Sequence, residues 1–217
     1  MVLQVTVPSK QEIDHVLGNK RWWLGNKVLY DLCKDYPSQT DPEAITAKFW
    51  LIGRAYAATV ERRRTSKEKP LEKGENFYDH RLVPAYRDHT PNFDELFKPL
   101  YAYKTINDDN ILDIMKVHNS LTQVLDSITY QWKRSLASKY LHFHFPDLYF
   151  IYDSRADNAL RNRYVPNWSS VRLPNNSGYD KYYYKFCLGL MGLRDAIQKE
   201  HDEILTPRML DDLLLGI

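Results

Sequence analysis

Cysteine, glycine and long apolar runs are all scarce in this chain, and each scarcity closes a route. Only two cysteines, Cys33 and Cys187, occur in 217 residues. They lie far apart with no Cys or His neighbour at metal-ligand spacing, which excludes a disulfide framework and a cysteine-based zinc site. They read as reduced, packed thiols of a cytoplasmic protein. The eight glycines form neither G-x-G-x-x-G nor G-x-x-x-x-G-K-[ST], and H-E-x-x-H and C-x-x-C are missing too. Dinucleotide, P-loop and zinc-protease sites are therefore excluded, and no cofactor or metal is expected. No run approaches the roughly 18 to 20 apolar residues of a membrane span. The opening M-V-L-Q-V-T-V-P lacks the charged start and long apolar centre of a signal peptide, so no membrane partner is expected. A net charge of +2, from 30 basic and 28 acidic residues, excludes a strongly basic nucleic-acid coat but permits a local basic face.

What is present is helical period and tyrosine. Aromatics make up 13% of the chain, with 16 Tyr, a load suited to sites where an apolar ring needs a wet polar edge, including surfaces on which bases stack. No stretch alternates as a strand should, and no repeat is visible, so the class is all-α: a multi-helix globular protein with a long buried central helix. Its length suits a single compact domain over 1–217, with two helical lobes, about 1–105 and 106–217, sharing a cleft as the other arrangement.

Ser9 caps a short helix over 10–17, and another is expected to start near Asn26. Before it stand Lys20, Arg21, Trp22 and Trp23; of the adjacent tryptophans, one is expected to enter the core while the other covers a seam or offers a stacking platform. Thr40, with Pro42 and Glu43 behind it, predicts a capped start for the central helix, running through Arg63 or beyond. Arg54 and Glu61 are out of place on that apolar cylinder. They are either a buried brace or groups that reach a phosphate or polar substrate. Beyond them Arg62, Arg63, Arg64, Lys67, Lys69 and Lys73 fall in a charged loop that can meet phosphates. A long amphipathic helix follows Asn107-Asp108-Asp109, and final helices begin near Tyr179 and at Thr206-Pro207.

The chain is organised around residues 135–161, S-L-A-S-K-Y-L-H-F-H-F-P-D-L-Y-F-I-Y-D-S-R-A-D-N-A-L-R. The pattern is a helix, a turn at Pro146, an aromatic run that delivers Asp153, and a second helix opening on Asp153-Ser154. Such an acid is either an N-cap or a carboxylate aimed at substrate. His142 and His144 form a metal pair only if their segment is a strand. On a helix, residues two apart point about 200° from each other and cannot share an ion, so at least one is expected to be a hydrogen-bonded packing residue.

This stretch resembles the catalytic region of the helix-hairpin-helix DNA glycosylases, where G-x-[KS]-x-A-x-x-x-L-x-x, a proline turn and V-D-[TG]-[HN]-V-x-R-V precede the last core helix. Asp153 falls on the family's essential Asp, Ala137 on its small helix residue and Ser135 on its Lys or Ser, with 153 − 135 = 18 residues between acid and serine. The resemblance implies a glycosylase-like core acting on DNA, with Asp153 as the catalytic carboxylate and, since Ser135 has no amine to form a Schiff base, hydrolysis without lyase activity. The family's glycine hairpin is replaced by Y-Q-W-K-R, which leaves Lys133, Arg134, Ser135 and Arg155 to grip the backbone. Tyr149, Tyr152, His142 and His144, with Arg54 and Glu61, are candidate pocket residues. The N-terminal phrases L-G-N-K-V-L-Y-D-L-C and I-G-R-A-Y-A-A-T-V-E-R-R also resemble a bacterial family of unassigned chemistry, and the tyrosine-rich pocket would suit a host-defence enzyme acting on modified phage bases. The alternatives are a non-catalytic nucleic-acid-binding module, or a structural or protein-interaction domain in which Asp153 only caps its helix.

Overall fold

The computed structural model describes residues 3–61, 67, 70–171, 173 and 178–217. Among them are ten α-helices and no strand: α1 Lys10–Gly18, α2 Trp23–Asp35, α3 Pro42–Ala55, α4 Val83–Arg87, α5 Phe93–Phe97, α6 Ile111–Thr129, α7 Arg134–His144, α8 Ser154–Ala159, α9 Lys181–His201 and α10 Pro207–Leu215. Short 3₁₀ and π turns link several of them.

The capping chemistry explains most of the starts. Ser9 and Glu12 form a reciprocal capping box on α1, Asn92 caps α5, Asp180 caps α9 and Thr206 caps α10 ahead of Pro207. At α3 the cap is Asp41 rather than Thr40, because the Asp41 carboxylate reaches the Glu43 amide at 3.0 Å. α2 begins at Trp23, three residues before Asn26. Trp22 precedes it in the left-handed region at φ 61°, a conformation that costs a bulky L-residue about 1–2 kcal/mol. Neither tryptophan enters the core; Trp22 and Trp23 remain 68% and 61% exposed.

α3 stops at Ala55, well short of Arg63. Its end is closed by Ala58 N–H donating to Gly53 O at 2.8 Å, with Ala57 at φ 49°. The chain then folds back so closely that a β-carbon on Gly53 would lie 3.0 Å from Thr59 Cα. Arg54 and Glu61 therefore do not share a helix face. Arg54 is 61% exposed, and its guanidinium approaches the Glu61 carboxylate only to 3.9 Å, so the pair is a loose surface contact and not a buried brace. Arg62, Arg63, Arg64 and Lys69 lie outside the described residues, while Lys67 and Lys73 are exposed.

The helix at the centre is α7, in which every residue from 136 to 143 is buried. It packs on α2, α3 and α6, while α10 packs on α1 and α8. One apolar cluster, with contributions from every helix, surrounds α7. Phe49 stacks on Tyr140 with centroids 4.1 Å apart, Tyr86 stacks on Phe93 at 4.2 Å, and the hydroxyls of Tyr86 and Tyr140 both donate to buried Gln39 Oε1. Cys33 and Cys187 are free, buried thiols. No described helix is long and apolar enough to cross a membrane.

Candidate functional site

The chain after Pro146 runs extended toward Asp153 without a sheet to pair with. Its buried backbone groups need partners, and side chains of α7 and α9 supply them. Ser138 Oγ accepts from Tyr152 N at 3.0 Å, Lys139 Nζ donates to Tyr152 O at 2.8 Å, His142 Nδ1 meets Tyr149 O at 2.8 Å, and Tyr183 hydroxyl donates to Phe150 O at 2.8 Å. Positions 138, 139 and 142 recur at helical spacing, so one polar face of α7 templates the returning segment.

That face explains His142. A carbonyl only accepts, so Nδ1 carries the proton, and Nε2 accepts from the Tyr30 hydroxyl at 2.6 Å. Both nitrogens are engaged inside the core, and burial, reinforced by the nearby Arg208 charge, pushes the ring's pKa down to about 3. His144 is half-buried, against Tyr140 and Phe97, and burial holds it well below its ordinary pKa. Tyr149 is fully buried and donates to Ile114 O. None of these three residues lines the cleft. Among the described residues no group of three His, Cys, Asp or Glu could hold a metal ion.

Asp153 ends the extended run and caps α8. Its Oδ1 accepts from Arg155 N at 2.9 Å and Ala156 N at 2.8 Å, leaving Oδ2 outside the cap. The carboxylate stands in the wall of a cleft of about 640 Å³ with Lys133, Arg134, Ser135, Tyr152 and Arg155. Opposite, the fold-back after α3 contributes Tyr56 and residues 57–59. Six of the residues that the sequence singled out thus meet in one cleft. Arg54 opens instead onto a groove on the other side of Tyr56, and Glu61 borders neither cavity.

Three contributors went unread in the sequence. Lys139, one turn after Ser135, is only 3% exposed yet reaches the cleft wall, and its ammonium donates to Ser135 Oγ at 2.7 Å. An amine therefore stands beside the serine although Ser135 itself has none. Burial lowers the Lys139 pKa, opposed by the charges of Asp153 and Asp211. Its four-residue spacing from Ser135 was the available signal.

Asp180 is the second. It caps α9 with Oδ1 and receives Trp132 Nε1 at 2.5 Å and Arg134 Nε at 2.6 Å on Oδ2. Burial favours its neutral form, but the Arg134 guanidinium and the other donors keep its pKa below the ordinary value. Arg134 is further held between the rings of Tyr152 and Tyr182, at 5.3 and 5.0 Å from their centroids. The third contributor, Tyr56, comes from a distant segment and gave no local signal.

Comparison of the chain with protein-family models, with curated proteins and with solved structures returns no match.

Proposed function

We propose that this cleft binds DNA and hydrolyses the N-glycosidic bond of a damaged or modified base, with Asp153 as the catalytic carboxylate. The observation that carries the reading is the company Asp153 keeps. A carboxylate pinned through one oxygen shares a cleft with the cationic side chains of Lys133, Arg134 and Arg155 and the rings of Tyr152, Trp132 and Tyr56. Cations grip phosphates, and flat rings receive a base turned out of its stack. In the step itself the C1′–N bond breaks with its electron pair leaving on the base. Water adds its hydroxyl to C1′, and its proton ends on the departing base. A carboxylate at the reacting face stabilises the positive sugar or takes the water's proton. Lys139, tied to Ser135 and the Tyr152 carbonyl, positions the wall beside the acid.

The cap made by Asp153 Oδ1 favours a second reading, in which the same cleft binds nucleic acid and breaks no bond. Incubating the purified protein with duplexes that carry varied base modifications, followed by alkali, separates the two. Base hydrolysis predicts alkali-dependent strand breaks that Asp153→Asn reduces by at least about 100-fold, the scale of losing one preorganised electrostatic group. Salt-sensitive DNA binding with every base retained supports the binding module. Strand breaks that persist in Asp153→Asn remove the acid from the mechanism, and breaks formed without alkali point to chemistry at the Lys139 amine.

A further inference from the structure

A second groove, also about 640 Å³, lies between α2, α3 and α10, separated from the Asp153 cleft by Tyr56, which lines both. Its rim carries Trp22 and Trp50, 68% and 46% exposed, together with Arg21 and Arg54. The Arg21 guanidinium lies 5.9 Å from the Trp22 ring centroid. Trp22 is presented to solvent at a positive φ that its own side chain disfavours.

Polar groups in this groove separate it from an ordinary apolar seam. Arg208 and Asp211 line it, joined by an Nη1–Oδ2 bond of 3.0 Å, and a further Arg208 nitrogen engages the Tyr56 hydroxyl. Arg208 Nε and Asp211 Oδ1 are nonetheless buried without a hydrogen-bond partner. A buried donor and a buried acceptor, both unpaired and on neighbouring side chains, call for an explanation. Burial raises the Asp211 carboxyl above its ordinary pKa, opposed by the Arg208 charge.

We infer that this groove is a binding site for the base of an unpaired nucleotide, stacked on Trp22 and Trp50, with its polar edge toward Arg208 and Asp211 and its phosphates beside Arg21 and Arg54. An aliphatic side chain from a protein partner would fill the apolar wall but offer no polar group to the Arg208 and Asp211 side chains that line it. A planar heterocycle carries donors and acceptors on one edge and π faces on both sides, and its backbone is anionic, which matches all three features. The inference rests on the nucleic-acid reading of the neighbouring cleft for the identity of the polymer. Tyr56, which lines both cavities, makes the groove the neighbour of the cleft that would hold the strand.

The test is equilibrium titration of tryptophan fluorescence with a 15-nucleotide oligothymidylate and with an abasic oligomer of the same length and charge. The oligothymidylate is expected to quench the fluorescence and to bind at least about tenfold more tightly than the abasic oligomer, the scale of one lost stacking contact. Trp50→Ala and Trp22→Gly are each expected to weaken it about tenfold while leaving the abasic oligomer unaffected. Trp22→Gly also relieves the positive φ, so its thermal midpoint should stay equal or rise, which separates lost binding from lost folding. Equal affinity for the two oligomers, or wild-type affinity in both variants, overturns the inference. So does an apolar dye held in the groove that oligothymidylate does not displace. Base-dependent binding that survives in Asp153→Asn, in a protein that releases no base from any duplex, would leave this site standing while the catalytic reading falls.

Discussion

Replacing His142 with asparagine tests how the fold delivers Asp153. In the folded protein the imidazole is neutral, protonated on Nδ1 toward Tyr149 O and accepting at Nε2 from Tyr30. Its folded pKa, about 3, lies below the ordinary value of about 6.5, so the unfolded chain binds more protons between these limits. Stability from this residue is therefore complete above about pH 6.5 and is lost as pH falls toward 3. At pH 4.5 the loss is two pH units, or about 2.7 kcal/mol at 1.36 kcal/mol per unit. That figure does not depend on the depth of the depression, because any folded pKa of about 3.5 or less leaves the native ring neutral there. Asparagine keeps a donor near Nδ1 but abandons Tyr30, which should cost about 1–3 kcal/mol at pH 7.5. Urea denaturation of both proteins at the two pH values gives the answer by difference, and the other buried histidines cancel because both proteins contain them. The gap between wild type and His142→Asn should shrink by about 2.7 kcal/mol at pH 4.5. Parallel pH dependence in the two proteins would refute the reasoning, since His142 would then titrate alike in both states.

Three further substitutions probe what supports the walls of the cleft. Asp180→Ala removes the α9 cap and the shared acceptor of Trp132 and Arg134, and is expected to cost about 2–4 kcal/mol in urea denaturation. Asp180→Asn, which keeps an oxygen for the cap but not the charge, should recover part of that loss. Gly53→Val places a branched side chain where a β-carbon already meets Thr59 Cα at 3.0 Å, and should destabilise by about 1–3 kcal/mol. Unchanged stability in Gly53→Val would mean that the 56–59 fold-back, and with it the cleft's far wall, is not held against α3.

The residues around Asp153 were legible because their signals are local. A serine, a lysine and an arginine before an apolar helix, a proline turn and an acid before a new helix are all written within one short stretch, and the cleft is largely built from it. Lys139 was equally local but was not singled out, since an isolated lysine gives no sign that its stem is buried. Arg54 and Glu61 misled for the opposite reason. Their seven-residue spacing implies a shared face only while the helix lasts, and α3 ends at Ala55 because the backbone closes on Gly53.

The sequence by itself determined the helical class, most of the caps, and the grouping of Lys133, Arg134, Ser135, Tyr152, Asp153 and Arg155. Periodicity and capping act over a few residues and need no knowledge of the rest of the chain. Tertiary structure alone decided that His142 and Tyr149 are core, that Asp180 holds Arg134, that Tyr56 divides two cavities, and that Arg208 Nε and Asp211 Oδ1 are buried without a partner. Each of these depends on which remote segments pack around the residue, as Tyr30 does on His142 and Asp180 on Arg134. Burial, which sets the charge state and the partners of every such group, is a property of the assembled fold.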